Sequence, residues 1–448
     1  MPENKFDVVV IGGGPGGYVA AERAGEKGKK TLLIDEDKNL GGVCLNRGCI
    51  PTKALLHSAK IFHSSQNSQD FGVRVSKAEY DIKKAMDWKN KVVSILTKGV
   101  AYQMKRHHVN VLTGHAHIID KNTISVNKEI YRTDNIIIAT GSSPSQLPIP
   151  GVDKPHVLTS NEMLMIEKLP KTLVIIGGGV IGLEFASYFS LLGVSVTVLE
   201  MLPEILPGFD QDISLFLKKE INTCNFKTEA MATKIDDKNV YFVKDGSEER
   251  IPADMVLIAV GRTPNVSNIG LEKNNIDFDR NGIKVNEKMQ TNLSGVYAVG
   301  DVTGKSLLAH SAYRMAEVAV NVMFGEEDHM RYQAIPWVVY TNPELSRVGL
   351  TENEAIKQGR KIKVKSLQMR VNGRFLSEHI KENGICKIIV DSESDVLLGV
   401  NILGGVNSEI IYGAAAMIEA ELRVKDIKEI MFPHPTVSEI IRDVIWEL

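Results

Sequence analysis

A glycine-rich motif occurs twice in this chain and constrains its fold more than any other feature. Each copy has three glycines spaced as G-x-G-x-x-G and a later acid: Gly12, Gly14, Gly17 and Asp35 in the first copy, and Gly177, Gly179, Gly182 and Glu200 in the second. Each residue of the second copy follows its counterpart by 165 positions, as Gly177 follows Gly12. A single motif of this kind is weak, whereas two copies with one internal spacing indicate a duplicated structural unit.

The residues around each motif predict a strand, a tight turn, a helix and a second strand. An apolar β-branched run precedes the glycines, a helix-compatible stretch follows them, and the acid closes the next apolar run. Glycines let backbone N–H groups approach a pyrophosphate at a helix N-terminus, and the acid can accept hydrogen bonds from a ribose. The sequence therefore predicts two dinucleotide sites. The alternative is a pair of tight turns in ordinary parallel sheets.

Further segments complete a nested domain plan. A strand runs into the polar turn Thr140-Gly141, a near copy of it runs into Gly261-Arg262, and a later strand delivers Asp301. From about Gln333 the pattern changes to alternating β-like runs and helices. We expect a first dinucleotide domain over 1–145, a second over 146–265, a central segment returning to the first over 266–332, and a last domain over 333–448.

Composition excludes several classes of protein. The chain of 448 residues has 53 Lys and Arg against 55 Asp and Glu, so neither nucleic acid nor an anionic membrane is an expected partner. Its longest apolar runs are strand-sized, far below the ~20 residues that span a bilayer. No basic segment followed by an apolar one opens the chain, so we expect a cytoplasmic location.

Four cysteines are too few for a disulfide scaffold, but two of them form a close pair. Cys44 and Cys49 have four residues between them, and no second pair exists to complete a metal site, because Cys224 and Cys386 stand alone. A pair that cycles between dithiol and disulfide explains this spacing better than two buried structural cysteines. Arg47 and the N-terminus of a helix that follows Cys49 would both favour thiolate.

The run from Gly41 to Lys53, Gly-Gly-Val-Cys-Leu-Asn-Arg-Gly-Cys-Ile-Pro-Thr-Lys, resembles the redox-active motif of the FAD-dependent pyridine nucleotide-disulfide oxidoreductases. The resemblance extends from Phe6 to Trp446. It implies an α/β protein with two Rossmann-like domains, one for FAD and one for NAD(P), a central segment and a C-terminal α+β dimerisation domain.

The resemblance also assigns residues to FAD. It places Lys53 beside the flavin with Glu184 as its ion-pair partner, and Asp301 at the ribitol chain. The expected FAD-binding residues are Gly12, Gly14, Gly17, Asp35, Lys53, Ala116, Thr140, Gly141, Glu184, Asp301 and Ala309.

The second copy is expected to bind the nicotinamide cofactor. The carboxylate of Glu200 would accept a hydrogen bond from a ribose 2′-OH but would repel a 2′-phosphate, so NAD is favoured over NADP. The expected NAD-binding residues are Gly177, Gly179, Gly182, Glu200, Gly261 and Arg262.

A C-terminal segment, Phe-Pro-His-Pro-Thr-Val-Ser-Glu, contains His434 and Glu439. By the resemblance His434 is the acid/base, Glu439 orients it, and both serve the opposite subunit of a homodimer. Imidazole suits this role because it titrates near neutral pH. The expected catalytic residues are thus Cys44, Cys49, His434 and Glu439. The histidines near His115 and His117 lack supporting ligands, so no metal site is expected.

The resemblance implies oxidation of dihydrolipoyl groups carried by a protein of a 2-oxoacid dehydrogenase complex or a glycine-cleavage system. Substrate would attack Cys44, expected as the more exposed thiol, and Cys49 would face the flavin. Alternatives are a glutathione- or mercuric-reductase-like enzyme, or a non-catalytic flavoprotein scaffold. Glu200 counts against NADP-dependent reductases, and the last residues lack the cysteine pair typical of mercuric reductases.

Overall fold

The computed structural model describes residues 4–448, and its elements are numbered here in chain order. Up to residue 260 they are β1 (Lys5–Ile11), α1 (Pro15–Glu26), β2 (Thr31–Asp35), α2 (Gly42–Arg47), α3 (Cys49–Gln66), α4 (Ile82–Arg106), β3 (Asn110–Thr113), β4 (Ala116–Asp120), β5 (Thr123–Val126), β6 (Glu129–Ile138), β7 (Ser142–Pro144), β8 (Val157–Leu158), α5 (Ser160–Met163), β9 (Thr172–Ile176), α6 (Val180–Leu191), β10 (Ser195–Leu199), α7 (Gln211–Glu220), β11 (Cys224–Lys227), β12 (Met231–Ile235), β13 (Asn239–Lys244), β14 (Ser247–Pro252) and β15 (Met255–Ile258).

The remaining residues form the central and C-terminal elements. They are β16 (Arg262–Pro264), β17 (Phe278–Asp279), β18 (Gly282–Ile283), β19 (Val296–Ala298), α8 (Ala309–Met323), β20 (Trp337–Val339), β21 (Leu345–Gly349), α9 (Glu352–Lys357), β22 (Ile362–Gln368), α10 (Gly373–Glu378), β23 (Ile385–Asp391), β24 (Leu397–Leu403), α11 (Asn407–Glu419), α12 (Val424–Lys428) and α13 (Glu439–Trp446).

The described residues divide into two compact units. The first contains residues up to Ala54 together with Lys83–Ser145 and Gly261–Arg331, and the second contains Leu55–Ile82, Gln146–Val260 and Tyr332–Leu448. No helix among residues 4–448 is long and apolar enough to cross a membrane.

The first unit is built on a sheet with strand order β3-β2-β1-β6-β5-β4, and β19 also pairs with β6. Strands β1, β2, β3, β6 and β19 pair in parallel, whereas β4 and β5 are antiparallel. The central strands are buried on both faces, which explains why residues 8–11 and 32–34 form unbroken apolar runs. Val9, Ile34, Ile136 and Ala298 belong to the core of this sheet.

The second unit contains the second glycine motif. A parallel sheet has the order β11-β10-β9-β15-β8, and β12, β13 and β14 form a separate antiparallel sheet. The first four strands repeat the order of β3-β2-β1-β6. This repetition confirms that the 165-residue spacing reports a duplicated strand–helix–strand unit.

The C-terminal part of the second unit is an antiparallel sheet with the order β20-β21-β24-β23-β22. Helices α11, α12 and α13 supply buried apolar residues to its core, among them Ile411, Ile427 and Ile441. The predicted α/β fold with two glycine-motif sheets and a C-terminal sheet-and-helix part is confirmed.

Candidate active site

The first glycine loop is closed by the acid at the end of β2. The backbone N–H of Gly13 donates to Asp35 Oδ2, and the N–H of Asp37 donates to Oδ1 over 2.7 Å. Burial raises the pKa of Asp35 from its ordinary value, while these two hydrogen bonds act in the opposite direction. Each oxygen still has lone pairs that a ribose diol would fill, so this carboxyl fits the FAD ribose.

The same loop leaves the start of α1 open for a pyrophosphate. A Cβ at Gly17 would collide with the carbonyl oxygen of Gly12, so only glycine lets helix and strand pack this closely. The helix begins at Pro15 without a side-chain cap or an acid in its first turn. An anion is therefore favoured at this N-terminus, and the cradle fits the phosphates of FAD.

The second glycine loop repeats this geometry. The N–H of Gly178 donates to Glu200 Oε2 over 2.7 Å, and the N–H of Leu202 donates to Oε1 over 2.8 Å. A Cβ at Gly182 would collide with the carbonyl oxygen of Gly177, and α6 begins uncapped after Gly179. The residues present fit a second dinucleotide, and the buried carboxylate of Glu200 favours a ribose hydroxyl over a phosphate.

Other residues expected at FAD follow the carboxyl ends of parallel strands in the first unit, where ligands bind in open α/β sheets. Thr140 and Gly141 follow β6, and Asn265 anchors them, since its amide donates to the Thr140 carbonyl over 2.9 Å. Asp301 follows β19 in a short 3₁₀ turn and accepts a hydrogen bond from Ser142. Burial raises the pKa of Asp301.

Arg262 lies among first-unit residues, although it was expected at NAD. Its guanidinium donates to the side chain and carbonyl of Ser142, and its Nε lies 4.0 Å from Asp301 Oδ2. Burial lowers the pKa of Arg262, whereas the charges of Asp301 and Cys49 act in the opposite direction. Gly261 begins the same first-unit segment. An NAD role for these two residues stays a prediction that these contacts do not support.

Four expected FAD residues lie on regular elements. Ala116 is buried at the start of β4, and Ala309 is the first residue of α8, so its N–H points out of a helix N-terminus. Lys53 lies on the first turns of α3, in the first unit. Glu184 is buried on α6 and accepts a hydrogen bond from the N–H of Tyr340 over 3.2 Å. The pairing of Lys53 with Glu184 stays a prediction.

The two cysteines form a hydrogen-bonded dithiol. Cys44 lies on α2, and Cys49 is the first residue of α3, so the helix expected to follow Cys49 already includes it. The hydrogen bond to Cys49 and then burial raise the pKa of Cys44, and Lys53 acts in the opposite direction.

Two expectations about this pair differ from the structure. Cys49 is exposed and Cys44 half-buried, so the prediction that Cys44 is the more exposed thiol is wrong for this chain. The start of α2 lies against the first glycine loop, where Gly42 approaches Gly14 so closely that a Cβ on Gly42 would not fit. Arg47 forms an ion pair with Asp37, which neutralises much of the charge expected to favour thiolate.

His434 and Glu439 form a hydrogen-bonded pair in the second unit. His434 Nδ1 lies 3.0 and 3.2 Å from the two carboxylate oxygens of Glu439, which opens α13. The N–H of Thr436 donates to Glu439 over 2.9 Å, and this bond, followed by that of His434, lowers the pKa of Glu439. Because Nδ1 is held by a carboxylate and 82% of the His434 side chain is exposed, Nε2 is available to an incoming partner.

The histidines near residue 115 make local contacts. His115 contacts Glu36 and, over 3.1 Å, the carbonyl oxygen of Asn268, which also lies 3.2 Å from His117 Nδ1. The bond to Glu36, then that to Asn268, raises the pKa of His115.

Sequence reasoning missed a tyrosine pair in the first unit. The hydroxyls of Tyr18 on α1 and Tyr313 on α8 lie 2.9 Å apart. They are 295 residues apart in the chain, and no local pattern links them, so only the packing of α1 against α8 could reveal the pair.

Comparisons with known proteins agree on one family. The family model described as pyridine nucleotide-disulphide oxidoreductase matches residues 6–316, and the model of its dimerisation domain matches residues 335–445. The dihydrolipoyl dehydrogenase of Thermus scotoductus is 40% identical over 97% of this chain and 95% of that protein. The mitochondrial dihydrolipoyl dehydrogenase of Pisum sativum is 38% identical over 98% and 90%, and the leghemoglobin reductase of Glycine max is 37% identical over 98% and 86%.

A solved structure agrees as well. The Cu(II) complex of the HOCl-induced flavoprotein disulfide reductase RclA from Escherichia coli superposes with a TM-score of 0.89 at 28% identity, covering 99% of this chain and 100% of that one.

Proposed function

This chain belongs to the pyridine nucleotide-disulphide oxidoreductase family, and from that premise we propose that it oxidises protein-bound dihydrolipoyl groups. The family makes it a flavoprotein disulfide oxidoreductase with FAD and NAD as cofactors. Relatives named dihydrolipoyl dehydrogenase support the substrate, because they match nearly the whole chain at 37–40% identity.

The observation that carries the proposal is the hydrogen bond between Cys44 and Cys49. A dithiol substrate can transfer its electrons to a protein disulfide only when the two protein sulfurs can re-form a bond, and this contact supports such a pair. The two sulfurs respond to different surroundings, since Cys44 is half-buried and Cys49 is exposed at a helix start. Because the motif from Gly41 to Lys53 resembles that of the family, we assign the attacked sulfur to Cys44 and the flavin-facing sulfur to Cys49.

Two sets of residues would hold the cofactors. The first loop with Asp35, Asp301 and Ala309 would hold FAD, and the second loop with Glu200 would hold NAD. When bound, FAD would supply the transfer of the electron pair from the dithiol to NAD as hydride. The chain supplies placement of both nucleotides and control of the thiol protons.

His434 would supply the base. With Nδ1 held by Glu439, Nε2 can take a proton from a substrate thiol, and the adjacent carboxylate stabilises the imidazolium that results. Both residues lie within 335–445, the part that matches the dimerisation domain. We propose that the chain works as a homodimer in which this pair serves the partner subunit.

The thiol–disulfide exchange would proceed in two steps. A substrate thiolate attacks Cys44 of the Cys44–Cys49 disulfide, which forms a mixed disulfide and releases Cys49 as thiolate. The second substrate thiolate attacks the substrate sulfur of that mixed disulfide, which releases Cys44. The substrate leaves as a cyclic disulfide, the protein has gained two electrons, and the substrate protons pass to His434 and solvent.

The natural electron donor would be a lipoyl-carrying protein of a 2-oxoacid dehydrogenase complex or of a glycine-cleavage system. A cytoplasmic location is part of the same proposal. The relatives' names support the lipoyl chemistry without distinguishing the two carriers.

The direct test measures NADH oxidation with lipoamide, glutathione disulfide and mercuric ion as separate electron acceptors. We expect turnover with lipoamide to exceed turnover with either of the other two acceptors. NAD-dependent oxidation of dihydrolipoamide should give the reverse reaction. Faster turnover with glutathione disulfide or mercuric ion would overturn the proposed substrate.

A further inference from the structure

The second glycine loop is contacted by residues 201–209, the fold-back segment of this unit. The N–H of Leu206 donates to the carbonyl of Gly178 over 2.9 Å, and Leu206 has a φ of 53°. Its counterpart 165 positions earlier is Gly41, which has a φ of 117° and makes the equivalent bond in the first unit. Glycine adopts a positive φ readily, whereas leucine does so only where the surrounding structure imposes it. The fold-back segment therefore needs support from outside itself.

Apolar packing supplies part of this support. Ile205 and Leu206 are buried in one core cluster with Val339, Leu345 and Leu403, which lie on β20, β21 and β24 of the C-terminal sheet. Both parts belong to the second compact unit. Apolar burial has no preferred direction, so other contacts must determine how the segment is oriented on this sheet.

Arg347 of β21 supplies a directional contact at the end of the segment. Its guanidinium carbon lies 5.3 Å from the ring centroid of Phe209 and 5.5 Å from that of Trp337, with which Arg347 is paired across β20 and β21. Only 12% of the Arg347 side chain is exposed, and its Nη1 lies 3.4 Å from a carboxylate oxygen of Glu354. A planar guanidinium over an aromatic face is an attractive contact that strengthens with desolvation. Arg347 thus holds Phe209 against the C-terminal sheet.

A second buried cation fixes the start of α7, directly after the segment. Lys387 of β23 is 2% exposed and lies 3.3 Å from Asp210 and 2.9 Å from Asp212, and it also pairs with Glu352. The N–H of Glu352 donates to Asp210 over 3.0 Å. Removal of the lysine would leave these carboxylates without their common cation. The fold-back segment therefore begins at Glu200 in the glycine loop and ends at a point held by the C-terminal sheet.

We propose that Arg347 is a positioning residue for NAD, because its contact with Phe209 keeps the fold-back segment on the second glycine loop. This inference rests on the proposed NAD site and deepens it. The loop and Glu200 bind NAD in the conformation that the bond from Leu206 to Gly178 closes. If that conformation is populated in only a fraction of the molecules, the apparent affinity for NAD falls by the same fraction. Arg347 itself transfers neither protons nor electrons.

The test measures NADH binding through the reduction of FAD in the holoenzyme. Stopped-flow absorbance at increasing NADH concentrations gives an apparent Kd and a limiting rate. We expect Arg347→Met to raise the apparent Kd by roughly 3- to 10-fold, within the range of a partly desolvated cation–π contact, and to leave the limiting rate unchanged. Phe209→Leu keeps an apolar side chain without a ring and should have the same effect. Phe209→Tyr keeps the ring and should resemble the wild type.

Hydrogen–deuterium exchange distinguishes positioning from a general loss of stability. In Arg347→Met, peptides that contain the N–H of Leu206 should exchange faster than in the wild type, and saturating NAD should slow them again. Peptides from the buried strand β9 should exchange as in the wild type. Faster exchange throughout the unit would indicate lost stability and would overturn the positioning role.

Lys234→Met is the matched control. Lys234 lies 5.5 Å from the ring centroid of Tyr241 in the separate sheet of β12, β13 and β14, so this substitution removes a cation from an aromatic face elsewhere in the unit. Its apparent Kd for NADH should equal that of the wild type. FAD content and the thermal unfolding temperature report whether each variant is folded.

An unchanged apparent Kd in folded Arg347→Met and Phe209→Leu would overturn the proposal. If Arg347→Met does not fold, Phe209→Leu decides alone. Reduction of FAD by NADH needs no lipoyl group, so a failed lipoamide assay would refute the proposed substrate and leave this inference standing. A normal lipoamide assay with unchanged Kd values would reject the positioning role alone.

Discussion

The two glycine-motif units share a backbone device as well as a sequence pattern. In the first, the N–H of Gly41 donates to the carbonyl of Gly13 over 2.8 Å, and in the second, the N–H of Leu206 donates to that of Gly178 over 2.9 Å. Leu206 follows Gly41 by the same 165 positions that separate the glycines. The equivalence therefore extends from the nucleotide loop through the acid to the segment that folds back on the loop.

The two units differ in the residues that follow this backbone hydrogen bond along the chain. The positions 165 residues after Cys44 and Cys49 are Phe209 and Ser214. Phe209 lies under the guanidinium of Arg347, 5.3 Å from ring centroid to carbon, and Ser214 is buried on α7. One copy thus uses the fold-back segment for packing and the other uses it to place a dithiol. Nucleotide binding is common to both copies, and disulfide chemistry belongs to one.

The largest expected effect comes from breaking the feature that only the first unit has. Cys49→Ser removes the sulfur needed to re-form the disulfide, so lipoamide turnover should disappear, while FAD stays bound because the glycine loop and Asp35 are untouched. Lipoamide-dependent NADH oxidation and the flavin absorbance of the purified protein measure the two properties.

Cys224→Ser is the control for that substitution. Cys224 is a half-buried thiol of the second unit that donates to the carbonyl of Ala186 over 3.6 Å, and its loss should leave turnover near the wild-type rate. Lipoamide activity retained by Cys49→Ser would remove the dithiol from the mechanism and make the two units chemically equivalent.

The next effect concerns a base that lies outside both glycine motifs, in the C-terminal part of the second unit. His434→Gln keeps a polar side chain but cannot take a proton at neutral pH, so dihydrolipoamide oxidation should slow by about 10²–10⁴. Stopped-flow reduction of the flavin by dihydrolipoamide measures it. Reduction by NADH should be unaffected, and His117→Gln should have no effect on either rate. A near-normal dihydrolipoamide rate would leave the thiol without this base.

The sequence predicts the features that depend on neighbouring residues, but not those that depend on how distant elements pack together. The glycine loops, Asp35, Glu200 and the presence of a helix after the cysteine pair follow from short patterns, because neighbouring residues determine a strand–turn–helix unit. The Tyr18–Tyr313 contact arises only when two distant helices pack together.

The two remaining differences have the same origin. Arg262 follows a strand that is the near copy of β6, so its motif suggested the second nucleotide, yet its side chain reaches Ser142 and Asp301. The exposure of the two cysteines was predicted in the wrong order because it depends on how α2 lies against the glycine loop, which no spacing reports.

A smaller effect should separate the two nucleotides. Glu200→Gln and Asp35→Asn each remove one carboxylate charge. Because a hydrogen bond to a charged group is worth about 1.5–3 kcal/mol, each substitution should lower the affinity for the nucleotide at its own site by roughly 10- to 100-fold. The KM for NADH should rise only in Glu200→Gln, and this variant should show a smaller preference for NADH over NADPH. FAD dissociation should increase only in Asp35→Asn. A variant that lowers the affinity for the nucleotide of the other unit would contradict the assignment of one site to each copy.

The smallest effect is a pH dependence that sharpens the comparison of the two acids. Without FAD, burial raises the pKa of Asp35, so this carboxyl keeps its proton to a higher pH than an ordinary aspartate. A ribose diol donates to the carboxylate form, so FAD binding should release that proton, and affinity should fall as pH falls through the raised pKa. One proton limits the slope to about tenfold per pH unit. Released FAD, measured by fluorescence from pH 4 to pH 7, should show this slope in the wild type and in Glu200→Gln but not in Asp35→Asn, whose amide does not titrate. An equal slope in Asp35→Asn would assign the released proton to a group other than Asp35.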